Sequence, residues 1–150
     1  YPRGKGEMKD WRNEMQVLPI GKGKKLCDGD DIAVLSIGPI GNEVIKAIEM
    51  VKEEGVSIAH YDMIYLKPLD EELLHEIGQK YNRIITVENG VIKGGFGSAV
   101  LEFMADNGYT PHVKRIGVPD AFIEHGSIPE LYQLCGMDAE SIAKQLKKEN

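Results

Sequence analysis

The sequence has 150 residues, of which 42% are hydrophobic and 28% charged, as in one globular domain. Its two cysteines, Cys27 and Cys135, exclude a disulfide scaffold, and no apolar run approaches the roughly 18 residues of a membrane span. The polar first fifteen residues do not resemble a secretory signal, and the net charge of −6 disfavours duplex nucleic acid as a partner. We therefore expect a soluble cytoplasmic protein that binds neither nucleic acid nor membrane.

The first part of the chain is predicted to be a linker followed by an edge strand. Residues 1–16 show no periodicity of a helix or a strand, so we assign them to a linker and residues 17–150 to a domain. The segment Val17–Leu26 favours a strand, but Pro19, Gly21 and Gly23 suit the edge of a sheet better than its centre.

The next part of the chain reads as strand, helix and strand. The unbroken apolar run Ile32–Ile37 is typical of a strand that is buried on both faces. Asn42 is the expected cap of a helix that runs to Glu54, with Gly55 as its stop signal. The following strand is predicted at Val56–Tyr61.

The second half continues the alternation of helices and strands. Asp70 is the expected cap of a helix because Glu71 and Glu72 would lie in its first turn, where the helix dipole favours acids. The remaining predicted elements are two strands and three helices: Arg83–Val87, Ser98–Asn107, His112–Ile116, a helix opened by a Ser127–Glu130 capping box, and Ala139–Lys148 capped by Asp138.

This alternation predicts an α/β fold with three layers, α/β/α. Strands that alternate with helices of this length form a parallel sheet through right-handed crossovers. The segment Val17–Leu26 has no helix before it, so it can join the sheet as an antiparallel edge strand.

A glycine-rich loop, residues 88–98, follows the strand Arg83–Val87. Gly94, Gly95 and Gly97 could expose backbone N–H groups to an anion before the helix begins. The loop lacks both the phosphate-loop motif and the third glycine of the dinucleotide fingerprint. The favoured interpretation is a loop that folds against the sheet and uses positive φ at several positions.

Glu88 and His125 are the candidate polar residues at the strand ends. Glu88 could be a functional carboxylate, or it could accept hydrogen bonds from the N–H groups of the glycine loop. Asp120, Glu124 and His125 form a second polar cluster, in which the histidine could be an acid–base group or an interface residue. No spacing of His, Cys, Asp and Glu resembles a metal site.

Several strings taken together resemble a known family. They are Tyr1-Pro2-Arg3-Gly4, Leu18-Pro19-Ile20-Gly21-Lys22-Gly23, Leu66-Lys67-Pro68-Leu69-Asp70, Thr86-Val87-Glu88, Gly94-Gly95-Phe96-Gly97-Ser98-Ala99-Val100 and Phe122-Ile123-Glu124-His125-Gly126. Over nearly its whole length the chain resembles the C-terminal domain of the 1-deoxy-D-xylulose-5-phosphate synthase family, which belongs to the transketolase superfamily. The resemblance implies a five-stranded mixed sheet, four strands parallel and the first antiparallel, and a linker at 1–16 that leads from a middle domain.

The resemblance also implies a reaction. Enzymes of this family decarboxylate pyruvate on thiamine diphosphate and add the two-carbon unit to D-glyceraldehyde 3-phosphate, and the product serves isoprenoid, thiamine and pyridoxal phosphate synthesis. Thiamine diphosphate and Mg²⁺ belong to the N-terminal and middle domains, so we expect this fragment to bind neither cofactor, to hold no catalytic residue and to be inactive alone. The expected partners are those two domains and a second subunit of a homodimer.

The resemblance assigns a binding role to one residue. Arg3 matches the family arginine that contacts the phosphate of glyceraldehyde 3-phosphate, and a guanidinium fork suits two phosphate oxygens. The glycine loop, Glu88 and His125 are expected at an interface with a neighbouring domain. The strings Glu88-Asn89-Gly90 and Gly38-Pro39-Ile40-Gly41 depart from the family pattern.

Two alternatives remain open. The chain could be the same domain of another thiamine-diphosphate enzyme, a transketolase or a 2-oxo acid dehydrogenase β subunit. It could also be a free-standing module that binds a nucleotide or a partner protein at the strand ends.

Overall fold

A computed structural model describes Arg12 and residues 17–147. The described part contains five strands and five α-helices: β1 (Lys24–Cys27), β2 (Ile32–Ile37), α1 (Gly41–Met50), β3 (Ile58–Asp62), α2 (Glu71–Lys80), β4 (Arg83–Val91), α3 (Phe96–Asp106), β5 (His112–Val118), α4 (Ile128–Leu134) and α5 (Ala139–Leu146). A short 3₁₀ turn at Lys52–Glu54 follows α1. The predicted linker at residues 1–16 lies outside the described residues except for Arg12.

The strands form one mixed sheet in the order β1-β3-β2-β4-β5. Strands β2, β3, β4 and β5 are parallel, and β1 pairs with β3 in the antiparallel sense. The predicted fold class and the antiparallel edge strand are therefore confirmed. The edge strand is shorter than the predicted segment Val17–Leu26.

The core lies in two layers because side chains of a strand alternate between the faces of the sheet. Val34 of β2 belongs to the layer under α1 and α5, whereas Leu35 belongs to the layer under α2 and α3. Every residue from Ile32 to Ser36 is buried. The unbroken apolar run therefore predicted a strand covered on both faces correctly.

The predicted caps were correct where the capping partner is local. The Asp70 carboxylate accepts a hydrogen bond from the Leu73 N–H, and the Asp138 carboxylate accepts one from the Ser141 N–H. The Ser127 N–H donates to the Glu130 carboxylate at 2.9 Å, as expected of a capping box.

The predicted cap at Asn42 is wrong. Helix α1 begins at Gly41, and the residue in the capping position is Ile40, which has no capping side chain. Ile40 is fully buried, so packing against the core fixes the entry of the helix two residues earlier. Gly55 ends the segment in the left-handed region, at φ 73°, as predicted.

Candidate functional site

The carboxyl ends of β2, β3, β4 and β5 form one edge of the sheet, and ligands of open α/β folds bind at such an edge. We call it the carboxyl edge. Glu88 lies near the carboxyl end of β4, the glycine loop continues from there, and Asp120 and His125 follow β5.

Glu88 is a buried carboxylate that caps the start of α3. Its Oε2 atom accepts a hydrogen bond from the Phe96 N–H at 2.8 Å, and its Oε1 atom accepts one from the Gly97 N–H at 2.9 Å. These two N–H groups belong to the first turn of α3 and have no partner within the helix. The negative charge also lies at the positive end of the helix dipole. Of the two interpretations of Glu88, the structure supports the carboxylate that binds the loop's own backbone.

The glycines of the loop are required for space more than for positive φ. A Cβ atom at Gly95 would lie 2.2 Å from the Glu88 Oε2 atom, and one at Gly97 would lie 2.5 Å from the Thr86 hydroxyl oxygen. Gly94 has a φ of 73°, and it is the only residue of the described loop at positive φ. The prediction of positive φ at several positions was therefore wrong, because close packing around the Glu88 carboxylate sets the requirement.

Arg115 and Ser98 hold the loop against β5. The Arg115 guanidinium donates to the Ile92 carbonyl oxygen at 3.0 Å and to the Ser98 hydroxyl at 2.8 Å. The Gly94 N–H also donates to the Ser98 hydroxyl, at 3.0 Å. The role of Arg115 is not visible in the sequence, since only the register between β4 and β5 brings it beside the loop.

The predicted cluster of Asp120, Glu124 and His125 does not form. Asp120 pairs with Lys93 of the glycine loop at 3.0 Å, and both side chains are exposed. Glu124 and His125 are exposed, and within the described residues neither makes a hydrogen bond or an ion pair. The structure therefore places His125 on an open surface without a group that would orient it as an acid or a base.

An apolar surface surrounds this loop at the carboxyl edge. It consists of Val91, Pro119, Ala121, Phe122 and Ile128, and we call it the carboxyl-edge apolar surface. The Phe122 side chain is fully exposed, and about half of the Ile128 and Val91 surface is exposed. A neighbouring cavity of about 280 Å³ opens beside Ile128, and its wall is mainly apolar. Exposed apolar side chains in such number at one place are typical of a protein interface.

A buried pair, Ser36 and His60, lies under the start of α1. The Ser36 hydroxyl and the His60 Nε2 atom are 2.8 Å apart, and both residues are almost fully buried. Burial lowers the pKa of His60 from 6.5 to about 4, so the ring is neutral at pH 7. A Cβ atom at Gly41 would lie 2.9 Å from the Ser36 oxygen, so α1 closes the pair off from any substrate.

The carboxyl end of β3 carries the one described residue other than glycine at positive φ. Ile64 has a φ of 56°, which is rare for a β-branched residue. The Ile64 N–H donates to the Asp62 carboxylate at 3.1 Å, and the Tyr65 N–H donates to the Met63 carbonyl oxygen. These bonds hold the turn in place against its strain.

The described part of the chain does not fit thiamine diphosphate or Mg²⁺. The N–H groups of Phe96 and Gly97, which could have faced a diphosphate, already bind Glu88. No group of three or more His, Cys, Asp and Glu in residues 17–147 is arranged for a metal ion. Arg3 lies outside the described residues. No helix in the described part is long and apolar enough to cross a membrane.

Comparison with known proteins gives a consistent result. The family described as "Transketolase, C-terminal domain" matches residues 21–142. The chain is 99% identical over all its 150 residues to a 1-deoxy-D-xylulose-5-phosphate synthase of Parabacteroides distasonis, and covers 24% of that protein. It is 61% identical to the enzyme of the same name from Bacteroides thetaiotaomicron, of which it covers 23%. The chain therefore spans about a quarter of the length of these relatives.

Two solved structures share the fold. A split-gene transketolase in an inactive β4 tetramer aligns with a TM-score of 0.77 at 30% identity, over 86% of this chain and 41% of that one. The transketolase of Campylobacter jejuni aligns with a TM-score of 0.62 at 13% identity, over 84% of this chain and 18% of that one, and so shows the fold alone.

Proposed function

The chain belongs to the transketolase C-terminal domain family, and on that basis we propose that it works as the C-terminal domain of a 1-deoxy-D-xylulose-5-phosphate synthase. The observation that carries this proposal is the 99% identity over all 150 residues to a protein of that name about four times as long. The parent enzyme would condense pyruvate with D-glyceraldehyde 3-phosphate, release CO₂ and work in the cytoplasm, which suits the free thiols of Cys27 and Cys135.

Within that enzyme the domain would contribute contacts to neighbouring domains and to the dimer, while other domains carry out the carbanion chemistry. Thiamine diphosphate supplies that chemistry when it is bound, and the described residues of this chain offer no site for it. The carboxyl-edge apolar surface supports a docking role, because it exposes Phe122 fully and Ile128 by half. Lys93, Asp120 and His125 would form the polar rim of the interface, with Glu88 and the glycine loop beneath them.

The first experiment compares the full-length enzyme with a variant that stops before this domain. We expect turnover and a stable dimer from the full-length enzyme, and neither the isolated chain nor the truncated enzyme should form product. Turnover by the isolated chain, or a fully active dimer without it, would remove the proposal.

A second experiment tests the docking surface. We expect Phe122→Ser to weaken the association constant of the full-length dimer at least tenfold, as measured by sedimentation velocity, because an exposed aromatic ring is a common interface anchor. Leu134→Ser is the matched control, since Leu134 is also exposed but lies at the end of α4. His125→Ala should weaken assembly less than Phe122→Ser. If either substitution lowers turnover in an intact dimer instead, the residue has a direct catalytic role.

Arg3, in the predicted linker at residues 1–16, is proposed as the residue of this chain that binds the substrate phosphate. A guanidinium can meet two phosphate oxygens at once, which an ammonium cannot do with the same geometry. In the full-length enzyme we expect Arg3→Ala to raise the KM for glyceraldehyde 3-phosphate far more than the KM for pyruvate. For Arg3→Lys we expect a KM for glyceraldehyde 3-phosphate between those of the wild type and of Arg3→Ala. Unchanged kinetics for both substrates would refute the assignment.

A further inference from the structure

Strand β5 is an outer edge of the sheet and has seven residues, and its register with β4 shifts only beyond Ile116, between Val87 and Val91 of β4. Of the described strands only β4 pairs with it, in unbroken register from Arg83 opposite His112 to Val87 opposite Ile116. The other edge, β1, has four residues and a register shift between Lys25 and Cys27. A short and irregular edge strand resists pairing with another chain, whereas a long regular one can receive a further strand.

The hydrogen bonds to β4 show which main-chain groups of β5 face outward. The His112 N–H donates to the Asn82 carbonyl oxygen at 2.8 Å, and the Val118 carbonyl oxygen accepts from the Ile92 N–H at 2.9 Å. The even-numbered residues of β5 therefore direct their main-chain groups to β4. Because these groups alternate along a strand, those of Val113 and Arg115, which are partly exposed, face the open edge, whereas Gly117 is buried beside Glu88 and Gly90.

A groove of about 390 Å³ with a cationic wall runs along this edge. Its wall includes His112, Lys114 and Arg115. The Arg115 guanidinium donates only to neutral oxygens, the Ile92 carbonyl and the Ser98 hydroxyl. Lys114 makes no ion pair with any described residue, whereas seven other lysines do: Lys22, Lys25, Lys46, Lys52, Lys80, Lys93 and Lys147. The groove thus has positive charge without a carboxylate from the described part of the chain.

The positive charge of the groove disfavours a second copy of this chain as the partner of β5. Two β5 strands paired about a two-fold axis would bring Lys114 and Arg115 close to the same cations of the other copy. Like charges opposite each other in a sheet are destabilising. An acidic strand would meet these cations with favourable charge, while its main chain pairs with the open edge.

We propose that the open edge of β5 binds an extended acidic segment of a separate polypeptide as a sixth strand. The main-chain groups of Val113 and Arg115 supply the affinity, as in other sheets that accept an added strand. The side chains select the partner, with His112 and Lys114 on one face of the sheet and Arg115 on the other.

The test is an NMR titration of the chain with the blocked peptide Thr-Glu-Val-Glu-Val-Glu-Thr. We expect shifts at the amides of Val113 and Arg115 and at least tenfold slower hydrogen exchange there at saturating peptide. Lys114→Glu should weaken binding at least tenfold and Lys114→Gln less, whereas Lys67→Glu, at an exposed loop lysine, should leave it unchanged.

Four results would overturn the proposal. The first is no shift at the edge amides at millimolar peptide, and the second is equal binding of the counterpart Thr-Lys-Val-Lys-Val-Lys-Thr. The third is protection of the edge amides that rises with the concentration of the chain alone, which would mean pairing with a second copy. The fourth is protection already present in the full-length polypeptide, which would mean that its own chain covers the edge.

Discussion

The substitution Glu88→Gln should destabilise the chain strongly, although it changes only one atom of the side chain. The two carboxylate oxygens of Glu88 accept from the N–H groups of Phe96 and Gly97 in a buried place. Glutamine retains one acceptor, and its NH₂ group would face a second donor. Hydrogen bonds to charged groups contribute about 1.5–3 kcal/mol each, so we expect a loss of that size from the free energy of unfolding.

Glu88→Ala should cost more than Glu88→Gln. It leaves two buried donors without an acceptor, at about 1–3 kcal/mol each. Domains of this kind have a total stability of about 5–15 kcal/mol, so the loss is a large part of it. A cavity also forms, and formate or acetate should enter it and restore part of the stability of the Ala variant.

The assay is urea unfolding at pH 7, followed by circular dichroism. With a slope of about 1–3 kcal/mol per molar urea, Glu88→Gln should lower the midpoint by about 1 M. The matched control is Glu102→Gln, the same substitution at an exposed position of α3, which should leave the midpoint nearly unchanged. If both variants unfold at the wild-type midpoint, the carboxylate does not hold the start of α3 and the reasoning fails.

Two further predictions concern the glycine loop and the buried histidine. Gly95→Ala should lower the unfolding midpoint far more than Gly94→Ala, because the new Cβ atom would lie 2.2 Å from the Glu88 oxygen. At Gly94 a Cβ atom meets no other atom, and the cost of about 1 kcal/mol comes only from the φ of 73°. Equal effects of the two substitutions in a thermal melt would contradict this. The pKa of His60 is about 4 in the folded state and 6.5 in the unfolded state, so the unfolded state binds more protons between these pH values. The free energy of unfolding should therefore fall by about 3 kcal/mol as the pH falls from 6.5 to 4. Urea midpoints of wild type and of His60→Asn between pH 4 and 8 should show a smaller acid loss for the variant.

The elements that were predicted from the sequence depend on local signals. The run Ile32–Ile37 gave β2 its observed bounds because burial on both faces leaves no polar residue in the strand except Ser36. Asp70 and Asp138 cap their helices through residues three positions away. The prediction failed at Asn42 because the burial of Ile40, a tertiary effect, outweighed the capping preference.

The candidate site was predicted in part for the same physical reason. Glu88 and the loop it binds are within nine residues, so the bond between them could be expected from the sequence. The pair Ser36 and His60 was not found, because it depends on the register between β2 and β3. Asp120 was expected beside His125 but pairs with Lys93, which only the fold of the glycine loop brings close.

The carboxyl edge supports the proposal that this domain offers a surface for protein docking. Three of its four strand ends are filled by the chain itself: α1 covers Ser36 and His60 after β2, the turn at Ile64 closes the end of β3, and Glu88 occupies the start of α3 after β4. The fourth end, after β5, leads to Phe122, whose ring is fully exposed. A ligand site needs inward-facing polar groups in a concave place, whereas an interface needs an exposed apolar anchor with a polar rim. Within the described residues the carboxyl edge meets the second requirement, which is why a change at Phe122 should act on assembly while a change at Glu88 acts on folding.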